Sequence, residues 1–66
     1  MLIKINDLFP FLRPGWVAMD GNGEWHWYED RPALLYPYWL GVDINLSKAF
    51  NIAPFDGFVE DSLIQV

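Results

Sequence analysis

Between Trp16 and Glu29 the chain carries its most regular pattern of side chains. The run Trp16-Val17-Ala18-Met19-Asp20 is followed by Gly21-Asn22-Gly23 and then by Glu24-Trp25-His26-Trp27-Tyr28-Glu29. Two runs of β-favouring residues around a Gly/Asn connection predict a β-hairpin. Two registers are open. A two-residue Asn22-Gly23 turn sets Asp20 opposite Trp25 and Ala18 opposite Trp27. A three-residue loop, Gly21-Asn22-Gly23, sets Asp20 opposite Glu24, Met19 opposite Trp25 and Val17 opposite Trp27. A slip of one residue moves every side chain of one strand to the other face. The three-residue loop is preferred. It gathers Val17, Met19, Trp25 and Trp27 on one face and Trp16, Ala18, His26 and Tyr28 on the other, and it puts Gly23 where a left-handed residue is wanted. Its cost is an acidic Asp20–Glu24 pair at the mouth, a few tenths to ~1 kcal/mol.

The flanking segments are shorter and less regular. Leu2–Ile5 alternates and predicts a strand. Asn6-Asp7-Leu8-Phe9 predicts a helical turn capped by Asn6, with Pro10 and Pro14 expected to stop any helix. Arg13-Pro14-Gly15 reads as a turn into the hairpin. Ala33–Leu40 is apolar and aromatic but interrupted by Pro37, which predicts an edge strand or an irregular segment. Val42–Leu46 predicts a half-buried strand with Val42, Ile44 and Leu46 inward. Ser47–Ile52 suits either a strand or a short helix. Pro54-Phe55-Asp56-Gly57 reads as a turn and Leu63–Val66 as a closing strand. The predicted fold class is mostly β, or small α+β. It is a single small domain over residues 1–66, with a curved antiparallel sheet built around the central hairpin 16–29 and room for one short helical turn.

Composition then narrows the ways such a fold can hold together. A 66-residue chain buries roughly 60% of its unfolded surface and is marginal by itself. There is no cysteine and one histidine, so disulfides and the usual N/S zinc ligand set are excluded. Aromatic packing and self-association remain: twelve residues are Phe, Trp or Tyr, and a homodimer is a reasonable expectation. Nine acidic residues face four scattered basic ones, for a net charge of −5. That argues against direct nucleic-acid binding, which needs clustered Lys and Arg. The same charge serves simple solubility. Met1–Ile5 is followed at once by Asn6 and Asp7, so no signal peptide is expected. No apolar run approaches the ~20 residues that cross a membrane. The expectation is a soluble, cytoplasmic protein.

Candidate chemistry is sparse. His26 is the lone histidine, Ser47 and Ser62 are the only serines, and neither serine lies in a nucleophile elbow. Asp20-Gly21-Asn22-Gly23-Glu24 opens like a calcium loop, but Trp25 stands where the sixth position needs Gly and Arg31 where the twelfth needs Glu. Glu29-Asp30 and Glu60-Asp61 are acidic pairs suited to turns and caps. No catalytic residue, metal ligand or cofactor is assigned. The surplus of Trp and Tyr points instead to binding, because these residues dominate interface hot spots. Trp16, His26, Tyr28, Tyr36, Tyr38 and Trp39 are the candidate binding residues, against the alternative of a Trp-rich core continued across a dimer.

Trp16-Val17-Ala18-Met19-Asp20-Gly21-Asn22-Gly23, Tyr28, Pro32, Trp39 and the tail Asp56-Gly57-Phe58-Val59-Glu60-Asp61-Ser62-Leu63 together resemble a loose group of small phage and prophage proteins. Those proteins read W-V-A-x-D-x-[ND]-G-x-x-x-x-[YF]-x-x-x-P, then a Trp, then D-[WF]-x-x-S-L. The likeness spans about fifty residues and departs at Gly57-Phe58, where an Asp-Trp pair is more usual. It implies a phage accessory gene product of the kind that inhibits or redirects a host protein, host defence included. It carries over no catalytic residue. The expected function is therefore binding to a host protein in the host cytoplasm. Two alternatives stand beside it: a small-molecule sponge for a nucleotide signal with an aromatic pocket at an oligomer interface, and a structural or assembly role.

Overall fold

The hairpin takes the three-residue register. In the computed structural model, which describes residues 1–66, β1 (Trp16–Met19) pairs antiparallel with β2 (Trp25–Tyr28), Val17 opposite Trp27 and Met19 opposite Trp25. The Asp20 N–H donates to Glu24 O at 2.9 Å and the Gly23 N–H to Asp20 O at 2.9 Å. Gly23 adopts φ +87°, a left-handed conformation that costs glycine little. The expected Asp20–Glu24 clash is avoided because the two side chains diverge. Asn22 Nδ2 donates to Glu24 Oε1, whereas Asp20 turns inward and is buried.

Two further strands complete a four-stranded antiparallel sheet in the order β5-β2-β1-β6. Strand β5 (Asp43–Asn45) flanks β2, and β6 (Ile64–Gln65), the expected closing strand, flanks β1. A separate two-stranded ribbon is formed by β3 (Ala33–Leu35) and β4 (Tyr38–Leu40). Three 3-10 segments, Ile5–Phe11, Leu46–Lys48 and Val59–Asp61, fill the connections. Asn45 caps the second of these by accepting the Ser47 N–H.

Both faces of the hairpin are covered by the chain itself. On one face Val17, Met19, Trp25 and Trp27 pack with Ile5, Leu8, Leu46 and Ile52. On the other, Ala18 and Tyr28 pack with Trp39 from the ribbon and Val59 from the last 3-10 turn, with Trp16 and Leu63 at the margin. Aromatic bulk in both layers does the work that disulfides do in other small folds. Two of the buried indole N–H groups find backbone partners, the Met19 amide finds a side-chain one, and Trp39 Nε1 has none. Trp25 Nε1 donates to Ala53 O, Trp27 Nε1 to Arg13 O, and the Met19 N–H to Ser62 Oγ.

Several expectations are corrected. Leu2–Ile5 is not a strand. Ile3 makes one parallel bridge to Ile52, and Ile5 already belongs to the first 3-10 segment, because burying Ile5 and Leu8 together needs a helical spacing. That segment starts from Lys4 rather than Asn6 and runs through Pro10. Its last turn is closed by the Leu12 N–H on Phe9 O, a bond that Pro10 does not interrupt. Ala33–Leu40 is neither one edge strand nor irregular, because Pro37 lies in the turn of a tight hairpin. Only Leu46 of the Val42–Leu46 alternation is buried. Val42 precedes β5 and is 93% exposed, and Ile44 sits on an edge strand and is 60% exposed.

Candidate functional site

The six residues singled out for binding separate into three environments. Tyr28 and Trp39 are buried and belong to the second core layer, away from solvent. Tyr28 Oη donates to Trp39 O at 3.4 Å. Burial, and then the carboxylates of Asp20 and Asp43, hold its phenol well above the ordinary value of 10.0, so it stays a donor. Trp16 is half-buried under the Arg31 guanidinium, which stacks 5.1 Å from its ring centroid. Tyr36 and Tyr38 remain in solvent at the end of the ribbon.

His26 lies between two carboxylates. Its Nδ1 meets Asp43 Oδ2, and its Nε2 lies 3.5 Å from Asp20 Oδ2. The ring stacks against Tyr28 at 6.3 Å. Opposite ring nitrogens address the two acids, so the three groups do not converge on one point, and no group of three such side chains is placed to hold a metal ion. The two serine hydroxyls lie elsewhere. Ser47 Oγ accepts the Trp25 N–H, and Ser62 Oγ sits under the Met19 backbone. The histidine cluster joins three elements: the mouth of the hairpin, β2 and β5. Sequence reasoning found His26 but missed both partners, because Asp43 is 17 residues away and adjacent only across the β2–β5 pairing.

Two apolar surfaces remain uncovered. The first is a hollow of about 170 Å³ beside β5, lined by Phe11, Leu12, Arg13, Trp27, Ile44 and Leu46. Phe11 and Ile44 are 82% and 60% exposed at its rim. Strand β5 is the edge of the sheet, so one side of its backbone has no neighbouring strand. None of these residues was a sequence candidate. Phe11 carried no reading from the sequence and Ile44 was expected to point inward; the position of β5 at the sheet edge leaves Ile44 open. The second surface is the outward face of the ribbon. Trp39 is buried in the core layer and its cross-strand neighbour Leu34, on the same side of the ribbon, is 42% exposed, so the alternation of the strands turns Ala33, Leu35, Tyr38 and Leu40 to the other side. A third depression, about 320 Å³, lies between Lys4–Asn6 and Ala53–Asp56 over the Trp25 edge and is half polar in its lining.

No helix is long and apolar enough to cross a membrane. Compared with protein-family models, with curated proteins and with solved structures, the chain matches none.

Proposed function

We propose that this chain is a non-catalytic accessory protein that works by binding a host protein and modulating or inhibiting it, in the manner of a phage-encoded anti-defence factor acting in the host cytoplasm. The observation that carries the reading is the apolar hollow at the open edge of β5. Its volume suits one large apolar side chain, whereas small-molecule pockets span roughly 300–1,000 Å³. A free strand edge next to a side-chain hollow is what β-strand addition uses: backbone pairing supplies affinity and the hollow selects a side chain. The occupant is an extended segment of the partner protein. One of its apolar side chains seats on Trp27, and an acidic neighbour faces Arg13. The resemblance of the hairpin and tail to small phage proteins supports the host-directed part of the reading.

Affinity capture from bacterial lysates, followed by reconstitution with the purified partner, tests it. The wild-type chain is expected to retain one stoichiometric protein that Phe11→Asp and Ile44→Asp both release. Capture that is absent, or indifferent to both substitutions, overturns the reading. Both side chains are exposed, so each change is expected to leave stability within about 0.5 kcal/mol.

A further inference from the structure

From Pro32 to Val42 the chain has no charged side chain across eleven residues, in a protein with thirteen Asp, Glu, Lys and Arg. This stretch is the β3–β4 ribbon, and most of it is in solvent. Leu35 is 61% and Tyr36 68% exposed, and Tyr38, Leu40 and Val42 are exposed with them. The largest apolar patch on a typical monomer, roughly 300–600 Å², is often functional.

We propose that the outward face of the ribbon is the contact through which two copies of this chain form a two-fold dimer. Three observations carry this. The first is area. On the outward face Leu35, Tyr38 and Leu40 keep 61%, 48% and 51% of their surface in water, with Ala33 exposed among them, and a two-fold contact hides the share of both copies at once.

The second is charge. A chain of net charge −5 can meet itself only where it carries no carboxylate. The acids nearest in the chain, Glu29, Asp30 and Asp43, lie beyond the open end of the ribbon, where Ala33 pairs with Leu40. A surface selecting a basic partner would instead carry carboxylates within the patch.

The third is shape. The face consists of two rungs, Ala33 beside Leu40 and Leu35 beside Tyr38, so its smallest and largest side chains occupy opposite corners. Crossed at nearly a right angle about a two-fold axis along the Leu35–Leu40 diagonal, Tyr38 of each copy covers Ala33 of the other, and the leucines meet on the axis. Near-orthogonal packing of two β layers is an established arrangement, and an isologous contact requires this kind of self-complementarity. The proposal is independent of the hollow beside β5, which the dimer leaves open on both copies.

Sedimentation equilibrium of the purified chain across micromolar to millimolar concentration tests the proposal. Wild type is expected to move from 7.7 kDa to twice that mass. Leu35→Glu, an outward substitution, is expected to raise the dissociation constant at least about tenfold with unchanged far-UV and near-UV circular dichroism, while Phe11→Asp leaves the constant unaltered. Ala33→Leu should weaken the dimer by crowding Tyr38, and Ala33→Leu combined with Tyr38→Ala should recover most of the loss. A chain that stays monomeric at millimolar concentration overturns the proposal. So does a dimer indifferent to Leu35→Glu, and so does purely additive weakening in the Ala33/Tyr38 pair.

Discussion

The carboxylate of Asp20 accepts the backbone N–H of Trp39 through Oδ1 at 2.8 Å, across 19 residues of chain. The bond ties the mouth of the β1–β2 hairpin to the ribbon that covers its second face. Asp20 is buried, its other oxygen faces His26 Nε2, and the next residue's N–H donates to Pro37 O. One acidic side chain thus fixes the layer that carries Trp39 into the core and displays Leu35 and Tyr38 outside it.

Removing that acceptor strands the Trp39 N–H in a buried position. Asp20→Ala is expected to destabilise the fold by about 1–3 kcal/mol, and Asp20→Asn, which keeps a carbonyl oxygen at Oδ1, by less. Urea unfolding followed by Trp fluorescence reads both values. Equal losses for the two variants would remove the hydrogen bond from this explanation.

Ser62 makes the corresponding tie from the tail. Its Oγ accepts the Met19 N–H at 3.0 Å and lies 2.7 Å from Val59 O, to which it donates, with the residue fully buried. Ser62→Ala is expected to cost about 1–3 kcal/mol with β-sheet circular dichroism intact. Hydrogen exchange at the Met19 amide should accelerate by more than at Val17, whose pairing lies within the sheet.

Two glycines in one loop respond differently to the same change. A Cβ on Gly21 would stand 2.6 Å from Pro37 Cβ, so Gly21→Ala has to push the ribbon off the hairpin. A Cβ on Gly23 meets nothing within 4 Å, and Gly23→Ala bears only the left-handed backbone, roughly 1–2 kcal/mol. Near-UV circular dichroism separates them: the Trp39 environment should change for Gly21→Ala and persist for Gly23→Ala.

Alkaline pH should unfold the protein through Tyr28. Its pKa in the folded state is raised above the ordinary 10.0 by burial and by Asp20 and Asp43. The folded state therefore holds its proton where the unfolded state releases it. The stabilisation is complete below pH 10 and is lost as pH rises beyond it. Chemical denaturation at pH 9 and at pH 11 should show this decline, and Tyr28→Phe should flatten it. An equally steep decline in Tyr28→Phe would locate the titration elsewhere.

Local chemistry in the chain was enough to determine the hairpin, its register and the closing strand. The Gly/Asn loop admits few geometries, and only one of them sorts Val17, Met19, Trp25 and Trp27 onto a single face. Which aromatics would be spent inside was not legible. Tyr28, Tyr38 and Trp39 have similar local context. The ribbon's pleat sends Trp39 in and Tyr38 out, and that follows from Pro37 falling in a turn and from Asp20 reaching the Trp39 backbone. The same holds for Ile44, which reads as an inward position and stands open because β5 is the last strand of the sheet. Periodicity marks the side of a strand a residue occupies. Only the order of strands and the docking of layers decide whether anything lies on that side, because those contacts join residues far apart in sequence whose identities do not announce one another.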